Sequence, residues 1–211
     1  MSSARRTPVL VLALALGVLV VLVVSGMLDQ ADVWVENALP PVHSTGLVGT
    51  SQRLASRLAD WANPRLVAPV TVLAALRLGR RGRPEAPRTV IPAVLAASVA
   101  VLALKAALAR PGPRGSSPVD VLGWWPSGHT TTALVCAGAL AALGGRRWAW
   151  AAGAWTLLVG FAMVWAHGHW VSDVVGGAVL GGLVLALMLP RRPRPATVPE
   201  DPEEALVSST P

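Results

Sequence analysis

The stretch WWPSGHTTTALVCAGALAALGGRR, residues 124–147, decides the fold of this protein. It opens with the polar motif Pro126-Ser127-Gly128-His129, continues as an uncharged apolar run and closes with two glycines and two arginines. An α-helix needs about 17–25 mostly apolar residues to cross a bilayer. The sequence therefore predicts a membrane-spanning helix over about residues 127–143, with a polar motif at its beginning and a basic pair after its end.

Five further apolar runs of similar length surround this one, and together they predict an all-α, polytopic membrane helix bundle with six transmembrane helices. They cover about residues 9–24, 63–78, 89–109, 148–166 and 173–189. The composition agrees, because 53% of the residues are hydrophobic and only 14% are charged, which is too little polar surface for a soluble domain of this size. The first run is longer than the core of a signal peptide and lacks a clean small-residue cleavage site, so we expect an uncleaved helix.

The basic residues predict the orientation of the bundle. Cytoplasmic loops of membrane proteins carry an excess of Lys and Arg. With the N-terminus in the cytoplasm, twelve of the 18 basic residues fall in short inside segments and six fall outside. Both termini are therefore predicted to be cytoplasmic, and the loops over 110–126 and 167–172 share the outer face. The same clustering between apolar runs argues against a nucleic-acid-binding patch.

Four regions follow from this pattern. They are a first transmembrane helix with a basic N-terminus over 1–28, an extracytoplasmic or interfacial segment over 29–60, a core of five transmembrane helices over 61–190 and a disordered cytoplasmic tail over 191–211. The tail is rich in Pro, Glu, Ser and Thr and cannot bury enough apolar surface to fold. The only cysteine, Cys136, excludes a disulfide within the chain.

Most of the conspicuous polar residues lie at the predicted outer face. Ser127, Gly128 and His129 open one span, where free backbone amides and the helix dipole favour an anion. His169 and Asp173 are four residues apart, a spacing that puts both on one helical face. A carboxylate beside an imidazole fixes its tautomer and makes it a better nucleophile. With Lys105 and Arg110 nearby, these residues suit a transferring phosphoryl group.

These motifs resemble those of the type-2 phosphatidic acid phosphatase family, which shares its catalytic core with vanadium haloperoxidases. The string Pro126-Ser127-Gly128-His129 is similar to the second signature of that family, and HWVSDVVGG from residue 169 contains the H-x-x-x-D of the third. Lys105 followed by Arg110-Pro111 looks like the first signature. The order and spacing match over about residues 60–190.

The resemblance implies a metal-independent phosphoric ester or anhydride hydrolase with no cofactor. His169 would be the nucleophile that forms a phosphohistidine, Asp173 would orient it, and His129 would protonate the leaving oxygen and then activate water. The residues that would hold the phosphate are Lys105, Arg110, Ser127 and Gly128. The partners implied are membrane lipids and a lipid phosphate, such as a polyprenyl diphosphate, phosphatidic acid or phosphatidylglycerol phosphate, acted on at the extracytoplasmic face of the cell membrane.

The sequence departs from the family at two arginine positions. The second basic residue of the first signature is usually seven residues after the lysine, where this chain has Gly112, so Arg110 or Arg114 would substitute. The Ser-Arg that opens the third signature is replaced by Ala162-Met163. A buried arginine supplies bidentate hydrogen bonds that methionine lacks. A weak or inactive relative that binds anionic lipid head groups therefore stays open, as does a lipid phosphotransferase.

Three further expectations concern residues around these motifs. His167, two residues before the predicted nucleophile, is a further candidate for the site. Tryptophans near the outer loops are expected to form an interfacial aromatic belt, and they are Trp124, Trp125, Trp165 and Trp170. Glycines in the last span, Gly176 and Gly177 among them, are expected to allow close helix packing. The oligomeric state is not indicated.

Overall fold

A computed structural model describes residues 3–42, 44–113 and 122–189 of the chain. Within these residues every regular element is an α-helix, as predicted. The helices are α1 (Ser3–Val24), α2 (Asp29–Ala38), α3 (Gly46–Trp61), α4 (Pro64–Arg80), α5 (Glu85–Leu108), α6 (Gly128–Gly144), α7 (Arg146–Trp165) and α8 (Val171–Met188). Arg114, His43 and the predicted tail over 191–211 lie outside the described residues.

Helices α4, α5, α6 and α8 form the centre of the bundle. Their facing sides bury small and β-branched residues, among them Ala75, Val90, Val135 and Val184. α7 packs mainly on α6, while α1 packs on α8. Side chains of this size let helices approach closely, which is how helices associate in a lipid environment without a hydrophobic driving force.

Glycines in α8 allow a close approach between α8 and the beginning of α6. A Cβ added at Gly177 would lie 2.6 Å from the carbonyl oxygen of Ser127, and one at Gly176 would lie 2.6 Å from Nε1 of Trp125. The backbone of α8 therefore lies directly against Ser127 at the beginning of α6 and against the side chain of Trp125. The predicted packing role of these two glycines is confirmed, and it brings the two signature segments together.

Helix lengths and hydropathy are of the membrane type. Four helices among the described residues are long and apolar enough to cross a bilayer, namely α1, α5, α7 and α8. α6 is apolar but has 17 residues, and α4 also has 17 and carries arginines in its last turn. The all-helical architecture is thus confirmed. The count of six spans, the cytoplasmic location of both termini and the four regions stay predictions.

Two shorter helices, α2 and α3, fill the segment over 29–60 that was predicted to lie outside the span region. The Pro40-Pro41 pair separates them, since proline cannot continue a helix. α3 packs on α7, and α2 contacts the beginning of α8. α2 therefore covers the end of the bundle at which the α5–α6 and α7–α8 connections meet.

The opposite end of the bundle is basic. Arg83, in the α4–α5 connection, donates a hydrogen bond to the carbonyl oxygen of Leu143 at 3.0 Å and pairs with Glu85 at 3.1 Å. Leu143 belongs to the last turn of α6, where a cation is favoured by the helix dipole. The histidines and aspartates of the predicted site are all at the other end.

Candidate active site

His169 and Asp173 form a buried pair at the beginning of α8. Nδ1 of His169 is 3.0 Å from Oδ2 of Asp173, and the two side chains are 4% and 0% exposed. The carboxylate can only accept, so Nδ1 carries the proton and the lone pair of the imidazole is on Nε2. This is the arrangement that a nucleophilic histidine needs.

The carboxylate of Asp173 is held by more than the imidazole. Its Oδ2 also accepts the backbone N–H of Trp170 at 3.1 Å, which satisfies an amide that the helix itself leaves without an acceptor. Its Oδ1 accepts Nη1 of Arg110 at 2.9 Å. Asp173 is therefore both a helix-terminus acceptor and the partner of His169, and its three donors fix its orientation.

His129 faces His169 across the two helices. The ring centroids are 6.2 Å apart, with the rings inclined at 65°. Trp124 lies edge-on to His169 with a centroid distance of 5.2 Å. The two imidazoles are therefore close neighbours, one at the beginning of each signature helix.

The beginning of α6 is a helix N-terminus that is capped by the side chain of Ser127. The Ser127 hydroxyl accepts the backbone N–H of Thr130 at 3.4 Å and its hydroxyl at 3.2 Å, which caps the helix. The first amides of a helix have no intrahelical acceptor, and they carry the positive end of the dipole. Gly128 is packed against Val101 and Pro64 on its Cα side. The signature thus combines a capped, buried helix terminus with the imidazole of His129.

Lys105 holds the connection that leads into this motif. Its Nζ donates to the carbonyl oxygens of Gly123 at 2.8 Å and Trp124 at 3.2 Å. The ammonium group therefore lies near the beginning of α6 and fixes the backbone there. Its predicted contact with phosphate remains a prediction.

Arg110 has different partners from those expected. Its guanidinium binds three carboxylates, Asp173 through Nη1 and both Asp29 and Asp32 through Nη2. Burial opposes the charged form, but the hydrogen bonds that Arg110 donates to Asp29 and Asp32, together with the negative charges of Asp173 and Asp32, outweigh it and raise the pKa of Arg110 above its ordinary value. The side chain therefore remains a cation at the back of the His169–Asp173 pair. Its predicted role in phosphate binding is not tested by this geometry.

Three acidic residues of α2 reach the site, and the sequence analysis did not place them there. Asp29, Asp32 and Glu36 recur at spacings of three and four, so they share one helical face. Asp32 is 4% and Glu36 is 7% exposed. The signal that could have found them is this acidic stripe on a short helix next to a membrane segment, because charged residues at such depth need partners.

His167, the further candidate, lies beside the site. Its Nε2 is 3.0 Å from the carbonyl oxygen of Pro40, and its Nδ1 is 3.8 Å from Oε1 of Glu36. Both side chains line a narrow cleft that His169 also borders. The structure thus brings His167 to the edge of the site and links it to the segment between α2 and α3.

Met163 occupies the position at which the family has an arginine. It is 6% exposed and packs in an apolar cluster with Ala59, Ala133 and Val159. Its carbonyl oxygen accepts the backbone N–H groups of Gly168 and His169. The side chain therefore supports the turn before His169 through packing and offers no charge to a ligand.

The prediction of an interfacial aromatic belt is wrong for Trp125. This side chain is fully buried and donates from Nε1 to the carbonyl oxygen of Ser172 at 3.2 Å. This hydrogen bond ties Trp125, which directly precedes Pro126, to the first turn of α8. A buried tryptophan usually satisfies its N–H in this way, but the sequence alone does not distinguish such a residue from one at the membrane surface.

Comparison with known proteins identifies the family. The sequence model of the PAP2 superfamily matches residues 86–196, just over half of the chain. The chain belongs to the PAP2 superfamily, as its signatures predicted. A comparison with curated proteins gave no match.

The fold is similar to that of a transmembrane PAP2-type phosphatidylglycerolphosphate phosphatase from Bacillus subtilis. The TM-score is 0.71 at 20% sequence identity, and the alignment covers 85% of this chain and 93% of the other. At this identity the likeness establishes the fold. Together with the apolar helices of bilayer length, it identifies this chain as a membrane protein.

Proposed function

We propose that this protein is a membrane lipid-phosphate phosphatase that works through a phosphohistidine on His169. The observation that carries the proposal is the buried His169–Asp173 pair, which faces His129 at the N-terminus of α6. This arrangement joins an oriented nucleophile, a second imidazole and a helix terminus suited to an anion. Membership of the PAP2 superfamily supports the same class of reaction.

The first half of the reaction transfers the phosphoryl group to the protein. Nε2 of His169 attacks phosphorus, and an N–P bond forms as the P–O bond to the lipid breaks. His129 gives a proton to the departing lipid oxygen, which leaves as a hydroxyl group. Asp173 stabilises the positive charge that develops on the His169 ring, because it keeps the Nδ1 proton in its hydrogen bond.

The second half regenerates the histidine. A water molecule gives a proton to His129 as its oxygen bonds to phosphorus, and the N–P bond breaks with its electron pair returning to Nε2. Inorganic phosphate is released. The amides at the beginning of α6 and the nearby Lys105 ammonium stabilise the charge on the non-bridging oxygens.

The substrate class that we propose is a lipid phosphate with an accessible terminal phosphate. The candidates are a polyprenyl diphosphate, phosphatidic acid and phosphatidylglycerol phosphate. The last of these is the lipid that appears in the name of the structurally similar phosphatase. Its chain would lie among the exposed apolar side chains of the bundle while the phosphate enters at the end that α2 covers. We propose that this end faces the extracytoplasmic side.

The decisive experiment is phosphate release by purified protein in detergent across these lipids and a polyprenyl monophosphate, with a chelator present. His169→Ala is compared with His43→Ala, a histidine outside the signatures. We expect metal-independent release that is lost only in His169→Ala. Full activity in His169→Ala would contradict the phosphohistidine, and dependence on a metal would contradict the proposed chemistry.

One observation favours a second candidate, a protein that binds anionic lipid head groups without turnover. Met163 supplies no charge, and Arg110 is engaged with carboxylates. If folded protein releases phosphate from none of the four lipids but binds vesicles that contain them, this candidate is favoured.

A phosphotransferase shares the first half-reaction. Incubation with a labelled phosphate donor and an alcohol acceptor distinguishes it, because the label would then appear on the alcohol instead of in inorganic phosphate.

A further inference from the structure

The acidic face of α2 forms a network with the first turn of α8. Asp32 accepts the backbone N–H of Ser172 through Oδ1 at 3.0 Å, and its Oδ2 accepts the Ser172 hydroxyl. Oδ2 also accepts Nη2 of Arg110 at 2.9 Å. Asp32 therefore uses both oxygens to bind the residue that precedes Asp173 and the cation that contacts Asp173.

Arg110 continues this network to the reacting pair. Its Nη1 donates to the Ser172 hydroxyl at 2.6 Å and to Oδ1 of Asp173 at 2.9 Å. The other oxygen of Asp173 accepts Nδ1 of His169. A continuous series of hydrogen bonds thus runs from Asp32 through Arg110 and Asp173 to the imidazole.

Burial makes each member of this series dependent on the next. Arg110 and Ser172 are each 7% exposed, and Asp173 is fully buried. A buried group that loses its partner keeps its desolvation cost, so it moves toward whatever acceptor remains. Without the carboxylate of Asp32, the cation would be drawn toward Asp173 and would compete with His169 for it. Asp29 offsets this only partly, because its side chain is 60% exposed.

We propose that Asp32 is a positioning residue of the active site, which acts through Arg110 and Ser172 to hold Asp173 in line with His169. Asp32 lies outside the residues that the family model matches. The inference gives the segment before α4 a role in the chemistry and rests on the proposed function. It does not require Asp32 to touch the substrate.

The test compares Asp32→Asn with Asp60→Asn, which makes the same change at an exposed position of α3. Initial rates on the preferred lipid phosphate give kcat and KM, and thermal unfolding in detergent reports folding. Misalignment of a reacting group costs up to about 100-fold in rate. We expect Asp32→Asn to lower kcat by about 10- to 100-fold and to change KM by less than about 3-fold, while Asp60→Asn matches wild type.

Three results would overturn the inference while wild type remains active and His169→Ala remains silent. One is an Asp32→Asn kcat equal to that of Asp60→Asn. Another is a raised KM with unchanged kcat, which would make Asp32 a substrate-binding group. If Asp32→Asn does not fold, the kcat and KM of Ser172→Ala are measured instead. We expect its kcat to fall by about 3- to 10-fold at constant KM. An unchanged kcat in this variant would be the third contrary result. Inactive wild type would instead count against the proposed function.

Discussion

Ser127 and Asp173 are joined through their main chains, because the amide of Ser127 donates to the carbonyl oxygen of Asp173 at 2.9 Å. Ser127 caps α6, and the side chain of Asp173 accepts the Nδ1 proton of His169. The hydrogen bond therefore helps to set the distance between the beginning of α6 and the His169 imidazole. Gly177 makes this contact possible, since a side chain there would collide with the Ser127 carbonyl.

Replacing Asp173 by Asn should nearly abolish phosphate release while preserving the shape of the site. An amide can donate to Nδ1 and would favour the wrong tautomer, with the proton on Nε2. For a histidine oriented by a carboxylate, the loss in kcat is about 10⁴-fold. Steady-state rates of Asp173→Asn and of Asp60→Asn check this, and activity within 10-fold of wild type would contradict the orienting role.

His129→Ala should slow the second half-reaction for every substrate. The first half should survive when the leaving group is p-nitrophenolate, because that group departs without a proton. A labelled phosphohistidine should therefore accumulate in this variant and be stable to alkali but labile to acid. The measurement is the label bound to the protein after the variant has reacted with labelled aryl phosphate and the reaction has been quenched in alkali. Rapid turnover without accumulation would show that another group activates water.

Met163→Arg should destabilise the protein instead of restoring a clamp. The side chain lies among apolar residues, Ala59, Ala133 and Val159 included, and an uncompensated buried cation costs about 3 kcal/mol or more. We expect a lower unfolding temperature in detergent and no gain in kcat/KM. The volume-conserving Met163→Leu should stay close to wild type. A several-fold gain in activity for Met163→Arg would mean that its guanidinium reaches the phosphate.

Gly177→Ala should destabilise the bundle, because the added Cβ would lie 2.6 Å from a backbone oxygen that cannot move aside. Overpacking of this kind costs about 1–3 kcal/mol. The matched control is Gly153→Ala in α7, where a Cβ meets nothing within 4 Å. That change should be neutral or stabilising by up to about 1 kcal/mol. Equal unfolding temperatures for the two variants would contradict the close packing.

The orientation in the membrane can be tested with single cysteines. Cys136 is the only cysteine and is buried, so Cys136→Ser gives a cysteine-free background. In intact cells, an impermeant maleimide should label Thr45→Cys in the α2–α3 segment and should not label Glu85→Cys at the basic end. Both positions are exposed. Labelling of Glu85→Cys alone would show that the orientation is opposite to the predicted one.

Local spacing was enough to predict the centre of the site but not its surroundings. The four-residue interval between His169 and Asp173 predicted their contact, because helical geometry brings such residues together. The contact between Asp32 and Ser172 joins positions 140 residues apart, and no periodicity reports it. Trp125 shows the same limit, since its burial depends on Gly176 of another helix.

The three carboxylates around Arg110 come from two distant parts of the chain. Asp29 and Asp32 precede the family-matched residues, and only Asp173 lies within them. A fragment limited to residues 86–196 would keep only Asp173 of these three carboxylates. Under the positioning role proposed for Asp32, transplanting the signatures onto another helical scaffold would also call for an acidic helix equivalent to α2, which a library that varies only the signature loops does not supply.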